Sequence, residues 1–240
     1  MSGELISIRG DGLLAIWSDL DLEREDEFDT WHLHEHLAER VNVPGFFRAR
    51  RYVRTAPAAP QGAILLTLYE TEGVEVMTSP AYIERLDNPT PLTSQTVPLM
   101  ANMRRSALRL CASRGQGIGG YLAAWQFRPS AGNADTAREK LVGGVLDTAL
   151  APVGVVACHL YEPELEATRA KDATTEGKAT NTVVEAPRWL LLVEAVHERG
   201  LTESRHRIVE AVTGASDDSE VTVETFRLAM VLDAPETDQS

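Results

Sequence analysis

The sequence contains a cluster of three histidines, His32, His34 and His36, which is half of its six histidines within five residues. Histidine titrates near neutral pH and is therefore the side chain best suited to proton transfer. On a helix, residues four apart lie on one side, so His32 and His36 can share a proton or bind a metal ion, whereas His34 falls within the apolar arc. We therefore expect His36, His34 and His32 as catalytic acid/base candidates. The alternative is that His34 is a core histidine and that the other two are solvated.

A helix is a better prediction for this segment than a strand. Seven of the residues 19–29 are Asp or Glu, and acidic side chains are favoured at the N-terminus of a helix. Pro44 and Gly45 are expected to end the helix, because proline disfavours helical conformation at the residue before it. A strand would instead place all three histidines on one face, which would indicate a metal site. We therefore predict no metal ion and keep a divalent metal as a minor alternative.

Three arginines lie on the predicted strand that follows, Arg48, Arg50 and Arg51. The guanidinium group is always charged, and its planar fork suits carboxylates and enolates. An arginine that faces a pocket would anchor an acidic substrate or stabilise an oxyanion. The alternative is an ion pair with one of the many acidic residues nearby. We predict these three arginines as substrate-binding candidates.

Aromatic side chains supply the other candidates for a pocket. Trp17 and Trp31 lie on or beside predicted elements of the first half and are predicted to bind substrate, since aromatic side chains line apolar ligand pockets. Tyr82 lies in a Ser-Pro-Ala-Tyr step that predicts a helix start, and it is a candidate proton donor. The alternative for all three is a place in the core.

Composition excludes several classes of protein. The chain has 240 residues, 23 basic and 36 acidic side chains, and a formal net charge of −13. Long-range repulsion would oppose binding to a nucleic acid or an anionic membrane, and no apolar run reaches the length of a membrane span. Two cysteines make no disulfide framework. We therefore expect a cytoplasmic protein whose partner is a small-molecule ligand.

The hydrophobic patterns predict the order β-α-β-β-α-β twice. Strands are predicted at 12–19, 46–55, 63–69, 104–113, 121–127, 153–161, 188–197 and 221–232, and helices at 21–41, 79–86, 93–102, 134–150 and 202–212. This order is typical of the ferredoxin-like fold, which has helices on one face of its sheet only. The predicted fold class is therefore α+β, with two tandem ferredoxin-like repeats, 1–116 and 117–240, packed sheet to sheet as an intramolecular dimeric α/β barrel. Residues 163–187 are predicted to form a mobile loop inserted in the second repeat, and residues 234–240 a frayed tail.

The segments 26–46 and 48–52 resemble the first helix and second strand of EthD-like proteins in the dimeric α/β-barrel superfamily. The resemblance lies in an aromatic pair, a later histidine and a Pro-Gly step, here Phe28 with Trp31, then His36, then Pro44 with Gly45. His36 takes the place of the family's histidine, although Leu37 and Ala38 replace the small or proline-containing step of many relatives. The resemblance implies a small enzyme that isomerises, cyclises, decarboxylates or oxidises aromatic or polyketide-like compounds, often without a cofactor. Other members of the superfamily bind haem.

Three hypotheses for the function follow. The first is a cofactor-independent enzyme of isomerase, cyclase, lyase or monooxygenase type, with a helix histidine as general acid or base. The second is a haem protein in which His159 or His197 is the axial ligand. The third is a ligand-binding or structural protein without catalysis. A homodimer formed through exposed sheet edges is possible in each case.

Overall fold

A computed structural model describes residues 8–56, 63–180, 183, 188–216 and 221–235. Its centre is a closed barrel of eight antiparallel strands in the order β1-β3-β2-β8-β5-β7-β6-β4. The strands are β1 Gly12–Leu20, β2 Phe46–Ala56, β3 Ala63–Thr71, β4 Ala101–Gly115, β5 Tyr121–Phe127, β6 Val155–Pro163, β7 Trp189–Ala195 and β8 Thr222–Asp233. The predicted strands are therefore present, most of them with bounds close to those expected.

Helices lie on the outside of the barrel. They are α1 Glu25–Trp31, α2 Leu37–Val41, α3 Pro80–Asp87, α4 Pro91–Thr96, α5 Ala134–Lys140, α6 Leu146–Leu150, α7 Leu165–Arg169, α8 Thr175–Ala179 and α9 Glu198–Thr213. Short 3-10 turns precede or join some of these helices. None of the helices in the described ranges has the length and apolar character needed to cross a membrane.

The first four strands form one side of the barrel and the last four the other. The two sides join along β2 with β8 and along β4 with β6. All eight strands thus have partners on both sides, and the edges that we expected to be open to dimerisation are closed. Closure also buries both inner faces at once, which explains why the interior can be filled mainly by apolar side chains such as Leu66, Leu122, Leu192 and Phe226.

One π-helical turn interrupts the first long helix, between α1 and α2, and a second interrupts the corresponding helix of the other half, between α5 and α6. The first π turn is His32–His36 and the second is Leu141–Val145. A π turn shifts the phase of a helix, and such turns are frequent at functional sites. In the first π turn His32 and His36 are buried whereas His34 is exposed. The expectation that His34 belongs to the apolar arc is therefore wrong, and so is the alternative that the other two histidines are solvated.

Three other local predictions are corrected. The loop predicted at 163–187 is helical over α7 and α8, while residues 181–182 and 184–187 lie outside the described residues. The helix predicted at 93–102 ends earlier, since β4 begins at Ala101. The helix predicted at 202–212 begins earlier, since α9 starts at Glu198 and is capped by His197, whose Nδ1 accepts the Gly200 N–H at 3.1 Å. Most of the predicted frayed tail, residues 236–240, also lies outside the described residues.

Candidate functional site

The candidate site is a pocket between the first helix, the outer face of β1 and β3, and the segment that contains α7 and α8. We call residues 165–179 the cover segment, because Lys171 and Glu176 within it line one side of this pocket. The cavity has a volume of about 20 Å³, room for about one water molecule. Its lining residues are Leu14, Ile16, Ser18, Phe28, Trp31, His32, His36, Arg40, Thr67, Tyr69, Tyr82, Met100, Met103, Lys171 and Glu176.

Two histidines form part of an aromatic stack along one wall of the pocket. The rings of His32 and His36 lie 5.7 Å apart at 22°, and Phe28 stacks on the other side of His32 with ring centres 4.9 Å apart. Trp31 contacts His36 at a ring separation of 4.3 Å. Positions 32 and 36 are four residues apart and so lie on one side of the helix, and both of these side chains of the π turn are on its buried side.

Both histidines are held in the neutral form. Burial, with a smaller contribution from the Arg51 guanidinium, lowers the pKa of His32 to about 3. Burial and the nearby charge of Arg40 also hold the pKa of His36 well below its ordinary value. In the described part of the chain, Nδ1 of each ring is buried and has no hydrogen-bond partner. The site thus contains two buried neutral imidazoles, each with a ring nitrogen that is not engaged.

The helix that carries the histidines is fixed to α4 by polar contacts. Nε1 of Trp31 donates to Oγ1 of Thr93 at 2.9 Å, and both residues are buried. Oγ1 of Thr90 donates to Oε1 of Glu35 at 2.5 Å. These contacts hold the π turn against its neighbour, so the ring positions of the histidines are set by packing on both sides.

A buried group of charges closes the far end of the pocket. Glu176 accepts hydrogen bonds from Nη2 of Arg40 and, at 2.9 Å, from Nζ of Lys171. All three side chains are 3–5% exposed. Nη1 of Arg40 has no hydrogen-bond partner among the described residues. The pocket therefore combines neutral bases with a cationic donor at one end.

Two tyrosines line the wall beside Arg40. Tyr82 is buried, and the Arg40 guanidinium carbon lies 5.9 Å from its ring centre. Ser79 caps helix α3 by accepting the Tyr82 N–H, as the sequence predicts. Tyr69, on β3, is fully buried, and its pKa is raised because burial disfavours the phenolate. The position of Tyr82 is consistent with its predicted role, whereas Tyr69 was not a candidate.

Several predicted site residues lie elsewhere. Trp17, Arg48 and Arg50 are on the inner face of the barrel or at its end, because strand alternation directs them away from the helices. Arg51 is on the outer face, but it forms an ion pair with Asp29 at 2.6 Å. These positions correct the expectation that the arginines and Trp17 line the pocket with Trp31.

His34 also lies outside the pocket. It lines a separate open groove between α2 and α3, together with Glu35, Glu39 and Arg85. Its position two residues from each buried histidine makes it the exposed member of the same turn. Of the four predicted catalytic residues, the pocket therefore brings together His32, His36 and Tyr82.

The two histidines proposed as haem ligands do not fit that role. His159 is fully buried inside the barrel, where Nδ1 lies 2.9 Å from Oγ of Ser113 and Nε2 lies 3.5 Å from Oε1 of Glu194. The ring of His197 caps helix α9 by accepting the Gly200 N–H. Neither side chain lines the pocket, and a cavity of about 20 Å³ does not admit a porphyrin. In the described part of the chain, no three His, Cys, Asp or Glu side chains converge as metal ligands either.

The sequence reasoning missed Arg40, Lys171 and Glu176. A signal for Arg40 exists, since it follows His36 by four residues and so lies on the same side of the helix. No comparable signal marks Lys171 and Glu176, which lie in a segment without aromatic residues, more than 130 positions away from Arg40 along the chain.

Comparison with known proteins supports the fold. No family model matches the sequence, and no curated protein matches it significantly. Solved structures do match. An anthrone oxidase-like protein has a TM-score of 0.63 at 13% identity, with 96% of this chain and 97% of that chain covered. A proposed monooxygenase of Fusobacterium nucleatum has a TM-score of 0.57 at 8% identity, with 96% and 100% covered. One from Lactobacillus acidophilus has a TM-score of 0.54 at 8% identity, with 93% and 97% covered.

At these identities, similarity of structure shows the fold and does not show the activity. The matches extend over nearly the whole length of both chains, so they include the closed barrel and the helices around it. The chain therefore has the same α/β-barrel fold as these solved structures.

Proposed function

We propose that the protein is a small-molecule enzyme that acts without a cofactor on a flat aromatic or polyketide-like compound, with His36 as the proton acceptor. The observation that carries this proposal is the pair of neutral histidines that line an aromatic-walled pocket and whose buried Nδ1 atoms have no partner among the described residues. A buried polar atom without a partner is costly in a protein interior, so its presence in a pocket favours a ligand that supplies the partner.

The proposed chemical step is removal of a proton from an acidic O–H or C–H group of the substrate. His36 accepts the proton, and the electron pair stays on the substrate as an enolate or phenolate. In a buried site this charge separation is unfavourable unless the new anion is stabilised. Arg40 lies one helical turn away, and its Nη1, which has no partner in the part of the chain that the structure describes, can bind the oxyanion. Tyr82 and the aromatic stack would hold the ring system in place.

The anthrone oxidase-like neighbour favours an oxidative version of this step. An anthrone carries a methylene group between two aromatic rings, and its loss of a proton gives a stabilised anion. Dioxygen then accepts electrons from that anion and forms a C–O bond, and the resulting peroxide takes back the proton from His36. Loss of the second methylene proton with cleavage of the O–O bond turns the carbon into a carbonyl, and the departing hydroxide and that proton form water. The protein would supply the base, the oxyanion donor and a pocket closed to solvent. Dioxygen is the only co-reactant that this balance requires.

We also propose that the chain is a fused duplication related to EthD-like proteins, with one working pocket. The two halves have the same strand order and a π turn in the same helix. In the second π turn the positions that correspond to His32 and His36 are Leu141 and Val145, which pack into an apolar core. Only the first half therefore combines a π turn with groups that can transfer protons.

The test is turnover of a small panel of probes: an anthrone, a naphthol and an aromatic β-diketone, with and without dioxygen. Absorbance and oxygen uptake would be compared for the wild type, His36→Ala and His34→Ala. We expect loss of about 10²–10⁴-fold in rate for His36→Ala, as for removal of a general base. His34→Ala, in the same turn but exposed, should keep the wild-type rate. Equal rates for wild type and His36→Ala would contradict the proposal, and binding without turnover would favour a non-catalytic ligand-binding protein.

A further inference from the structure

Hydrogen bonds to the backbone attach both helices of the cover segment to the rest of the protein. At α7, Nη1 of Arg105 donates to the carbonyls of Ala167, at 2.9 Å, and Thr168. At the start of α8, the Thr175 N–H donates to Oδ1 of Asp87 at 3.0 Å. Between and beside these attachments, the segment contributes two charged side chains to the pocket. It is therefore both a wall of the site and a barrier in front of it.

The charges at this end of the pocket do not balance. Arg40 and Lys171 contribute two positive charges, and Glu176 contributes a single negative charge that both of them share. Glu39, on the same helix, lies outside this fully buried group: it is only partly buried, its charge acts on both Arg40 and Arg85, and it accepts a hydrogen bond from Arg85 at 3.3 Å. Since the histidines are neutral, this buried group keeps an excess of one positive charge.

The excess positive charge and a donor without a partner among the described residues both belong to the Arg40 guanidinium. Nη1 of Arg40 is buried and has no partner in the described residues, while Nη2 binds Glu176. Burial of an uncompensated cation is unfavourable, and an anion with acceptor oxygens is the chemical group that removes this penalty. The Tyr82 ring lies beside the same guanidinium, and Trp31 also lines the pocket.

The cavity is too small for an aromatic ring. A volume of about 20 Å³ is room for about one water molecule, so any larger ligand enters only when a wall moves. The cover segment contacts Arg40 through the carboxylate of Glu176. An acidic ligand carries the same kind of group and can replace that carboxylate on Arg40. The cover segment is therefore the wall that a ligand can displace.

We propose that the pocket binds a flat aromatic compound that carries an oxyanion, and that this oxyanion replaces the Glu176 carboxylate on Arg40 when the cover segment moves aside. The inference rests on the proposed function in so far as it concerns the same pocket, and it names the substrate class and the residue that competes with it. Glu176 is then a specificity-determining residue: it competes with the ligand for Arg40, so aromatic compounds that carry or form an oxyanion bind in preference to neutral compounds of the same shape.

The first experiment compares two probes of equal shape, 2-naphthoate and 2-naphthamide, by titration calorimetry of the full chain. We expect 2-naphthoate to bind about tenfold or more tightly, because a charge-assisted pair with arginine replaces a neutral hydrogen bond. Equal affinities for the two probes, or tighter binding of the amide, would overturn the proposal.

The second experiment compares Glu176→Gln with Asp172→Asn. Both variants remove one acidic charge from the cover segment, but Asp172 is exposed and Glu176 is buried. With the competing carboxylate removed, Glu176→Gln should bind 2-naphthoate several-fold more tightly than wild type, whereas Asp172→Asn should not differ from it. Unchanged or weaker binding by a folded Glu176→Gln protein would overturn the proposal. Circular dichroism establishes that the variant is folded.

A third variant keeps the proposal falsifiable if Glu176→Gln does not fold. Lys171→Met leaves the pair between Arg40 and Glu176 in place and removes the excess positive charge. It should weaken binding of 2-naphthoate several-fold and leave binding of 2-naphthamide unchanged. Equal effects on the two probes would contradict the inference. These are binding measurements, so absence of turnover would refute the proposed function alone, whereas absence of charge preference would refute this inference alone.

Discussion

Nη1 of Arg50 donates to Oε1 of Glu194 at 2.7 Å across the barrel interior, and both side chains are fully buried. Arg50 is on β2 in the first half and Glu194 is on β7 in the second. Nε of Arg50 also lies 2.9 Å from Oε1 of Glu70, and Oε2 of Glu194 accepts the Gly119 N–H at 2.8 Å. This buried network connects the two sides of the barrel from within.

Removal of one partner of this network should destabilise the protein. Glu194→Gln removes one of the two negative charges beside the buried Arg50 guanidinium, and breaking a buried ion pair costs about 3–5 kcal/mol. We expect a decrease of the free energy of unfolding near the lower end of that range, because Glu70 remains beside Arg50. Urea denaturation measures it. Glu164→Gln, whose pair with Arg109 is largely exposed, should cost no more than about 1 kcal/mol; equal losses would contradict the role of burial.

The same network predicts a dependence on pH. Burial by itself would raise the pKa of Glu194, but the charge of Arg50 and hydrogen bonding from His159 outweigh it and lower this pKa from 4.5 to about 2 in the folded state. The unfolded chain therefore binds a proton on Glu194 first as the pH falls, and the stability that the ionised carboxylate contributes is lost between about pH 4.5 and 2. The stability difference between wild type and Glu194→Gln should shrink over that interval. A constant difference would contradict the prediction.

His32 should lower the free energy of unfolding in mild acid. Its pKa is 6.5 in an unfolded chain and about 3 in the pocket. Below pH 6.5 the unfolded state binds the proton that the folded state excludes, so stability decreases as the pH falls towards 3. His32→Leu introduces the residue type found at the corresponding position of the second π turn. Denaturation between about pH 7 and 5 should show a smaller loss of stability for this variant, and equal losses would contradict the assignment.

The hydrogen bond between Trp31 and Thr93 should contribute more to the free energy of unfolding than the hydrogen bond of an exposed threonine. Thr93→Val keeps the shape of the side chain but leaves the buried indole N–H of Trp31 without an acceptor, which costs about 1–3 kcal/mol. Thr202→Val removes a hydroxyl on an exposed position of α9 and should change stability by less than about 0.5 kcal/mol. Thermal denaturation of both variants checks this difference, and equal midpoints would refute it.

Gly154 lies next to the His197 side chain that caps α9, and replacing this glycine should lower stability. Gly154 has a φ of +94°, and a Cβ atom there would lie 2.4 Å from Cε1 of His197. Gly154→Ala should therefore combine backbone strain with a clash that displaces the capping ring. Gly132 has a φ of +78° with nothing near the corresponding Cβ position, so Gly132→Ala isolates the backbone cost, about 1–2 kcal/mol. The Gly154 variant should be clearly less stable in urea, and equal stability would contradict the steric contribution.

Local patterns in the sequence predicted most of the secondary structure, because short-range physics decides it. Ser79 followed by Pro80 predicts the start of α3, and the Ser79 hydroxyl does accept the Tyr82 N–H. The apolar run at 121–127 coincides with β5. In contrast, residues 163–187 lack aromatic residues and were predicted to be a loop, yet α7 and α8 form there. Their helical turns are stabilised by contacts with Arg105 and Asp87, which no local pattern encodes.

What the sequence by itself determined is the order of the elements and the presence of a histidine cluster next to an arginine-rich strand. Only the tertiary structure decided which of these groups share a pocket. The π turn buries His32 and His36 and exposes His34, and barrel closure commits Arg50 to Glu70 and Glu194. The reason is physical: helix and strand periods follow from neighbouring residues, whereas the burial of a side chain and its partners depend on residues far away in the chain.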